Sequence, residues 1–433
     1  MMSDVPNASQ RPLDAPQVAG FLDSAAVRPT GLVIEGEAGI GKTTRWVALG
    51  RQARARGYCV LTARVGQAES VMAFAALADL LGEVDDDHFA QLPALQRLAL
   101  DRVLLRAGPD GPPTDQRVVA AAFVSVLHSV AAGAPLLLAV DDAQWLDSSS
   151  RTAIEFAARR LRGPVGVLVT ERCTVGDGTV AGWLQLDRPD SLARVPVHPM
   201  SSRELHTVIS ERLGRTFSRP TVLQIAEISG GNPFFALELA RAIDDDPAGA
   251  ERPLPATLTD VVRRRIAALD DAERRLLLSA ACAADPTVSL LAQANDVDVD
   301  ELATRVENAD AAGILSVEGN RVRFTHPLLA SGVYTDAGPP ARRAMHRRLA
   351  GLETHPELRA RHLALASAHG DEEIFTALDQ AADSARARGA PAAAAELVDL
   401  ALGLGGEGAC LLPQLVGLGF GLLRPIGLVQ YVF

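Results

Sequence analysis

The sequence predicts an α/β domain with a five-stranded parallel sheet, followed by all-α, winged-helix and helical-repeat parts. Two observations carry this prediction. Short apolar runs alternate with helical patterns over roughly the first 200 residues, which is typical of parallel strands joined by crossover helices. After Val197 this alternation stops and amphipathic helical patterns take over, with one later hairpin pattern. A chain of 433 residues is long enough for two or three domains with separate cores.

In the α/β part, residues 31–200, strands are expected where short apolar runs are continuous. They are Gly31–Glu35, Tyr58–Ala63, Leu136–Val140, Val165–Thr170 and Leu192–Val197. Helices are expected where apolar residues recur with helical periodicity, at Thr43–Arg56, Phe74–Leu81, Leu92–Leu105 and Asp115–Ala132. The helical stretch between the second and third strands predicts an insertion, and residues 1–30 form a separate N-terminal segment.

Residues 201–246 predict a helical lid with helices at Ser201–Leu213, Pro220–Ser229 and Pro233–Ile243. A linker rich in aspartate and proline follows, from Asp244 to Pro255.

Residues 247–340 predict a winged-helix domain, because helices precede a hairpin pattern. The helices are expected at Leu258–Leu269, Ala272–Ala284 and Glu301–Ala312, and the hairpin strands at Ile314–Val317 and Arg321–Thr325. Residues 341–403 form amphipathic helices separated by short breaks, which indicates the start of TPR-like helical repeats.

The stretch from Leu411 to Phe433 differs from the rest of the chain. It is almost wholly apolar, Arg424 is its only charge, and glycine and proline interrupt it. Its length permits a membrane span, but these interruptions weaken that interpretation. We therefore treat residues 404–433 as an atypical tail and favour a reading-frame change or a truncated gene product over a membrane anchor.

Lysine usage points to one chemically required cation. The chain has 42 basic side chains, and Lys42 is the only lysine among them. An ammonium is a compact charge that fits beside a phosphate at the floor of a loop, where a guanidinium fork does not.

Lys42 lies in a segment with the spacing G-x-x-x-x-G-K-[ST], which is that of a phosphate-binding loop. The residues predicted to bind nucleotide here are Gly36, Glu37, Ala38, Gly39, Ile40, Gly41, Lys42, Thr43 and Thr44. The glycines let backbone N–H groups face the phosphates, and the Thr43 hydroxyl is suited to Mg²⁺. The alternative is a glycine-rich turn that matches by chance. A strand before the loop and a helix after it favour the nucleotide site, hence a P-loop NTPase domain.

Two acids end the predicted third strand, at the distance from the loop that an inserted-strand P-loop fold requires. We predict that Asp141 holds Mg²⁺ and that Asp142 orients the attacking water, with Lys42 neutralising phosphate charge. The alternative is an aspartate-rich turn. An aspartate at the second position should hold water less well than a glutamate, which predicts slow hydrolysis and suits a switch.

The fourth strand ends at Thr170-Glu171-Arg172. Ligands collect at the carboxyl ends of parallel strands, so Arg172 is a candidate phosphate sensor and catalytic residue. A surface arginine is the alternative.

Composition limits the partners and the compartment. A net charge of −11 argues against a dominant electrostatic grip on nucleic acid or on an anionic membrane. The four cysteines have no metal-binding spacing and indicate reduced thiols. No signal peptide is recognisable at the N-terminus, so we predict a cytoplasmic protein.

Three further segments resemble those of one family. They are Gln144-Trp145-Leu146-Asp147, Gly230-Gly231-Asn232-Pro233-Phe234-Phe235, and Phe324-Thr325-His326-Pro327-Leu328-Leu329. With the loop and the acid pair, they are similar to the large ATP-binding regulators of the LuxR family, which are signal-transduction ATPases with numerous domains (STAND) related to the maltose-regulon activator. The resemblance runs from about Gly31 to Leu402.

The resemblance implies a switch that holds ADP at rest and ATP when a signal opens it, with self-association on ATP binding and an inducer or signalling protein as partner. It places Pro233 beside the adenine and His326 on the β-phosphate of ADP. A capping or core histidine is the alternative for His326. Two departures are that Gln10-Arg11-Pro12-Leu13 lacks the Gly-Arg-Glu expected before the first strand, and that no DNA-reading helix-turn-helix is visible.

Other functions remain open from the sequence. An active AAA-type ATPase of the origin-recognition kind, acting with DNA, uses a similar loop, acid pair and winged helix. A scaffold with a vestigial site, a truncated fragment and a small-molecule kinase are further alternatives. The intact Lys42, Thr43 and Asp141 count against the vestigial site, and the long helical half counts against the kinase.

Overall fold

A computed structural model describes residues 20–108, 112–173, 182–245 and 257–405. The predictions for the apolar tail after residue 405 and for Gln10-Arg11-Pro12-Leu13 lie outside the described residues, as does most of the predicted linker.

The α/β domain is built on a sheet of five parallel strands. These are β1 (Thr30–Gly36), β2 (Cys59–Arg64), β3 (Leu136–Asp141), β4 (Val165–Arg172) and β5 (Leu192–Pro196). Their order across the sheet is β2-β3-β4-β1-β5, so β4 is inserted between β1 and β3. The five predicted strands are confirmed within two residues at each end, and the sheet is of the inserted-strand P-loop type.

Helices cover both faces of the sheet. They are α1 (Phe21–Ala25), α2 (Lys42–Ala55), α3 (Ala75–Gly82), α4 (Asp86–Ala90), α5 (Ala94–Val103), α6 (Gln116–Gly133) and α7 (Ser148–Ala158). Alternate strand residues point to opposite faces, so Leu32 and Ile34 pack with α1 and α2, whereas Val33 packs with α3, α6 and α7. This two-sided burial explains why the strands are continuously apolar.

Within the described ranges, α6 is the one helix long and apolar enough to cross a membrane. Its apolar residues, Phe123 and Val126 among them, lie in the core beside the sheet. The composition of α6 is therefore that of a core helix.

The lid follows as α8 (Ser202–Leu213), α9 (Arg219–Ser229) and α10 (Pro233–Asp245). The winged-helix domain consists of α11 (Leu258–Ala267), α12 (Asp271–Cys282), α13 (Val288–Asn295), α14 (Val299–Ala311), the strands β6 (Leu315–Glu318) and β7 (Arg321–Phe324), and α15 (Pro327–Asp336). The strands β6 and β7 pair antiparallel around Gly319, whose φ of +64° suits the turn. The hairpin prediction is confirmed with a shift of one residue, whereas α13 and α15 were not predicted.

The last described helices are α16 (Pro339–Leu352), α17 (Pro356–Leu365), α18 (Glu372–Ala387) and α19 (Pro391–Gly403). Each packs against the next, and residues of α17 to α19 join the same core as α3, α6 and α7. The Thr114 N–H donates to the Ala387 carbonyl over 3.0 Å, and a buried Arg388–Glu357 pair of 2.5 Å ties α17 to the end of α18. These helices therefore pack directly on the α/β domain, which the sequence did not predict.

Candidate functional site

The loop between β1 and α2 has the backbone that its glycines predict. Gly39 and Gly41 have φ values of +78° and +103°, a region that side chains other than glycine rarely adopt. At Gly39 a β-carbon would also lie 2.7 Å from the Phe234 side chain, so glycine allows α10 to approach the loop. Ile40 points the other way and packs into the core with Trp46.

Lys42 is the first residue of α2 and is buried. Its Nζ donates to the Gly36 carbonyl over 3.0 Å and to the Glu37 carbonyl over 2.8 Å. Burial lowers the pKa of this ammonium, while the nearby Asp142 charge opposes that shift. The lysine is thus held at the mouth of the loop, where a phosphate can compete with the two carbonyls for the hydrogen bonds that the ammonium donates.

Asp141 ends β3 and is buried beside Thr170 and Thr43. The Thr170 hydroxyl donates to Asp141 Oδ1 over 2.5 Å. Burial raises the pKa of this carboxyl and the Asp142 charge raises it further, while hydrogen bonds from Thr170 and Thr43 act in the opposite direction. The structure therefore brings together both residues predicted to bind Mg²⁺.

Asp142 adopts a left-handed conformation, with φ of 56° and ψ of 49°. Its N–H donates to the Thr170 hydroxyl over 2.8 Å, and its Oδ1 accepts from the Gln144 amide over 2.9 Å. Gln144 in turn accepts from the Arg172 N–H over 3.1 Å, which joins the ends of β3 and β4. Thr170 and Gln144 were not predicted as site residues, although the motifs that contain them had been recognised.

Arg172 is the exposed last residue of β4 and lies beside Gly36 in the parallel register. Its side chain lines the same cavity as Lys42 and Asp142. The predicted phosphate sensor is therefore within the site, and its role stays a prediction.

Asn232 connects the lid to the loop. Its amide Nδ2 donates to the Ala38 carbonyl over 2.8 Å, and its Oδ1 accepts from the Phe234 and Phe235 N–H groups over 3.1 and 3.2 Å. One side chain thus caps α10 and fixes it to the loop. Pro233 is buried at the start of α10, and its neighbour Phe234 lines the cavity. The contact of Pro233 with adenine stays a prediction.

His326 comes from the winged helix and is buried against the loop. Its ring stacks on Phe234, with centroids 3.8 Å apart and planes inclined by 15°. Its Nδ1 accepts from the Leu328 N–H over 3.1 Å as the cap of α15, so the neutral ring carries its proton on Nε2. Nε2 lies 3.2 Å from the position of a β-carbon on Gly39. The capping alternative is correct for Nδ1, while Nε2 faces the loop.

The pKa of His326 is lowered to about 3, first by burial and then by the charges of Arg172 and Lys42. The imidazole is therefore neutral at physiological pH and presents an N–H donor to the loop.

These groups enclose a cavity of about 220 Å³ between the loop, the acid pair and the winged helix. Its charged walls carry Lys42, Arg64, Arg172 and Arg323 against Asp141 and Asp142. A second groove, of about 360 Å³, lies between α17 and α18, but its lining includes neither the loop nor the acid pair. The first cavity is therefore the candidate site.

The wing, defined as β6, β7 and the turn between them, closes one side of the cavity. The Arg323 Nη1 donates to the Arg64 carbonyl over 2.7 Å, and the Arg64 guanidinium pairs with Glu318. The Arg321 Nη1 donates to Asp79 on α3 over 3.0 Å. The winged helix is thus fixed to the α/β domain through charged side chains of the wing.

The site fits a nucleotide with Mg²⁺ by the chemistry of its donors. Oxygen ligands from a hydroxyl and a carboxylate, as in Thr43 and Asp141, are those that Mg²⁺ prefers. Backbone N–H groups of a glycine loop before a helix, with a buried ammonium beside them, are suited to phosphates.

Comparison with known proteins agrees with this geometry. A family model described as an AAA ATPase domain matches residues 16–170. The chain therefore contains an AAA ATPase domain of P-loop NTPase fold. An uncharacterized protein of Rhizobium meliloti (strain 1021) is 26% identical over 245 residues, which are 53% of this chain and 23% of that protein.

Among solved structures, a STAND protein with a tetratricopeptide repeat sensor from Pyrococcus horikoshii matches with a TM-score of 0.51 and 11% identity. The match covers 92% of this chain and 60% of that one, so this chain spans less than two thirds of either relative. At this identity the likeness shows the fold alone. The ORC1 protein of Aeropyrum pernix, solved with DNA, matches with a TM-score of 0.35, 12% identity, and coverage of 76% and 94%.

Proposed function

We propose that this chain is the nucleotide-switch module, of the STAND type, in a LuxR-type transcriptional regulator, and that it binds ATP or ADP and hydrolyses ATP slowly. The observation that carries the proposal is the position of His326. A residue of the winged helix lies against the phosphate loop, with its Nε2 3.2 Å from the position of a β-carbon on Gly39, although more than 280 positions separate the two residues in the sequence. The nucleotide site and the docking of the winged helix therefore share one contact.

His326 supplies the coupling because its two nitrogens do different work. Nδ1 is committed to the cap of α15, which leaves the Nε2–H as a donor toward the loop. A hydrogen bond from this donor to a phosphate would add to binding only while the winged helix is docked. The same contact favours the docked form whenever a suitable phosphate is present.

The other side chains divide the phosphate chemistry among them. Lys42 neutralises phosphate charge, and Thr43 and Asp141 hold Mg²⁺, with the loop residues Gly36 to Gly41 and Thr44 around the phosphates. Bound Mg²⁺ supplies charge neutralisation on the transferred phosphoryl group. Arg172 lies at the end of β4, where its guanidinium can report the terminal phosphate.

Slow hydrolysis is favoured by the surroundings of Asp142. Its Oδ1 is occupied by the Gln144 amide over 2.9 Å, which leaves one oxygen to orient a water. The N–H bond to Thr170 fixes the backbone, so the short side chain has little reach. This arrangement suits a switch that stays in its ATP-bound state for a long time before hydrolysis.

An ATPase that acts on DNA through the winged helix is the second candidate, and the charges of α14 count against it. The helix before the wing carries Asp300, Glu301, Glu307 and Asp310 with Arg305 as its one basic residue. A basic surface is the footprint of DNA binding, and the wing arginines are already paired with Asp79 and Glu69. The proposal therefore assigns DNA reading to a part of the regulator outside the described residues.

The remaining parts of the proposal concern partners and place. The chain self-associates on ATP binding, responds to an inducer or signalling protein, and works in the cytoplasm. Helices α16 to α19 begin the TPR-like repeats through which the signal reaches the switch. Their packing on the α/β domain supports this route, because a ligand that moves them also acts on the core beside β3.

The first experiment is to purify the protein without added nucleotide, denature it and identify the released small molecules by mass spectrometry. Stoichiometric ADP and slow turnover unaffected by DNA are expected for a switch. An empty site, or rapid hydrolysis stimulated by DNA, would count against the switch and for the DNA-dependent ATPase.

A further inference from the structure

Arg64 lies where the acid pair meets the wing. It ends β2 and is directly opposite Asp141 in the parallel register of β2 and β3. Its Nε is 3.8 Å from Asp141 Oδ2, and its Nη1 bonds to Glu318 on β6. One guanidinium is therefore shared between the acid predicted to hold Mg²⁺ and the winged helix.

The wing also holds the backbone of Arg64. The Arg323 Nη1 donates to the Arg64 carbonyl over 2.7 Å. The Arg323 Nη2 lies 3.5 Å from Glu69 Oε1, and its Nε lies 3.9 Å from Glu318 Oε2. While the wing is docked, the Arg64 guanidinium cannot leave Asp141 without losing its contact with Glu318. When the wing undocks, the side chain, which is 31% exposed, becomes free to turn into water.

This arrangement has an electrostatic consequence for Asp141. A divalent ion held by Asp141 and Thr43 would lie close to the Arg64 guanidinium, and like charges a few ångströms apart repel strongly inside a protein. The docked wing keeps that repulsion in place, and undocking relieves it. Thermodynamic coupling of this kind is reciprocal. If docking of the wing weakens Mg²⁺ binding, bound Mg²⁺ weakens docking of the wing by the same factor.

We propose that Arg64 makes the docked form select nucleotide without Mg²⁺, so that occupation of Asp141 by the ion favours release of the wing. In the docked form, Lys42, Arg64, Arg172 and Arg323 supply the positive charge that the phosphates need. Arg64 is a positioning residue, acting through Asp141 and Glu318. The inference rests on the proposed function, because it requires a nucleotide site at the loop.

The test measures how fast fluorescent methylanthraniloyl-ADP leaves the protein after a chase with unlabelled ADP. The rate is taken with Mg²⁺ and with a chelator at matched ionic strength, and the ratio of the two rates is the readout. For the unchanged protein, Mg²⁺ should speed release by about fivefold, at the low end of allosteric coupling. Arg64→Gln should bring the ratio close to one, and Arg64→Lys, which keeps the charge, should restore part of it.

Arg321→Gln is the matched control. Arg321 belongs to the same wing and binds Asp79 on α3 over 3.0 Å, whereas within the described ranges its ion pairs are with Asp79 and Asp285 and not with Asp141. This variant loosens docking, so release should be faster in both conditions while the ratio stays at the level of the unchanged protein. Glu318→Gln, which removes the wing carboxylate that pairs with the Arg64 guanidinium, should lower the ratio as Arg64→Gln does.

Hydrogen exchange of the amides in β6 and β7 supplies a second readout. It should rise with Mg²⁺ in the ADP-bound unchanged protein and not in Arg64→Gln. If Mg²⁺ slows release, the inference is overturned while the nucleotide switch stands. The same holds if the ratio in Arg64→Gln equals the ratio in Arg321→Gln. Failure to bind ADP in either condition would overturn the proposed function and the inference with it. Thermal unfolding identifies variants that do not fold, and Glu318→Gln then replaces Arg64→Gln.

Discussion

The two walls of the cavity are built from different kinds of contact. The loop wall consists of the loop before α2 and the acid pair after β3, held by parallel strands that are buried on both faces. The winged-helix wall consists of the wing and the start of α15, and it reaches the cavity through single side chains such as Arg323 and His326. One wall belongs to the rigid sheet, whereas the other depends on a docking surface.

Because the two walls are held by different kinds of contact, they affect different properties of nucleotide binding. Partly exposed ion pairs such as Arg64–Glu318 and Arg321–Asp79 contribute about 0–1 kcal/mol each, so the winged-helix wall is held by several weak contacts. Such a surface can undock without unfolding the sheet. We therefore expect changes in the loop wall to remove binding, and changes in the winged-helix wall to alter how long a nucleotide stays.

Lys42→Ala gives the largest expected effect and tests the loop wall. Loss of the buried ammonium should weaken ATP binding by about 100-fold or more, since a charged hydrogen bond to phosphate is lost in a partly enclosed site. Calorimetric titration with ATP measures it. Arg54→Ala, on an exposed turn of the same helix, is the control and should bind normally. Normal affinity in Lys42→Ala would remove the loop from the site.

His326→Ala tests the winged-helix wall. It should speed ADP release about 10- to 30-fold, because the Nε2–H donor and the stacking on Phe234 are both lost. The affinity of the undocked form for ADP should change less than the rate of release. The measurement is the dissociation rate of labelled ADP.

His326→Asn separates the two roles of this histidine. Asparagine can still cap α15 but is too short to replace the ring at Gly39, so it should release ADP as fast as alanine does while keeping more of the thermal stability. If asparagine instead restores slow release, the cap alone explains the effect and the contact with nucleotide is wrong.

The loop wall was the predictable part of the molecule, for a physical reason. The loop, its lysine and the strand before Asp141 are each encoded within about ten contiguous residues, so local pattern and backbone geometry suffice. The position of Thr170 between the two acids depends on the strand order, because β4 is inserted between β3 and β1 and its end lies beside the acids that end β3.

The winged-helix wall could not be derived from local pattern. Whether Pro233 or Phe234 faces the cavity depends on how α10 is rotated, which Asn232 fixes through its bond to Ala38. Helix α7 was not predicted, and its start depends on Asp147, which accepts from the Ser150 N–H and, across the domain, from the Phe74 N–H. Both outcomes require contacts between residues far apart in the sequence.

Asp142→Asn sharpens the comparison within the loop wall. The amide keeps the size of the side chain and the bond that Asp142 Oδ1 accepts from Gln144, so ATP binding should stay within about twofold. Hydrolysis should slow by about tenfold, since an amide is a poorer acceptor for the proton of an attacking water. Phosphate release under single-turnover conditions measures the step. Equal losses in binding and hydrolysis would indicate a structural role for Asp142.

The smallest expected effect concerns pH and the winged-helix wall. The pKa of His326 is lowered from 6.5 to about 3 in the docked form, mainly by burial, and undocking into water would return it toward 6.5. The undocked form therefore takes up a proton first as the pH falls, and docking loses stability below about pH 6.5. Between pH 7 and pH 6 this linkage amounts to about 0.7 kcal/mol, or about threefold in ADP release.

His326→Asn has no titrating group at this position and supplies the comparison for the pH effect. Its release rate should change less between pH 7 and pH 6 than that of the unchanged protein, whereas Lys42 and Asp141 are present in both and cancel in the ratio. The buried His346 and His362, whose Nδ1 atoms are 3.0 Å apart, are also present in both proteins. An identical pH dependence in the two proteins would mean that His326 stays buried when ADP leaves, and release would then proceed without undocking of the winged helix.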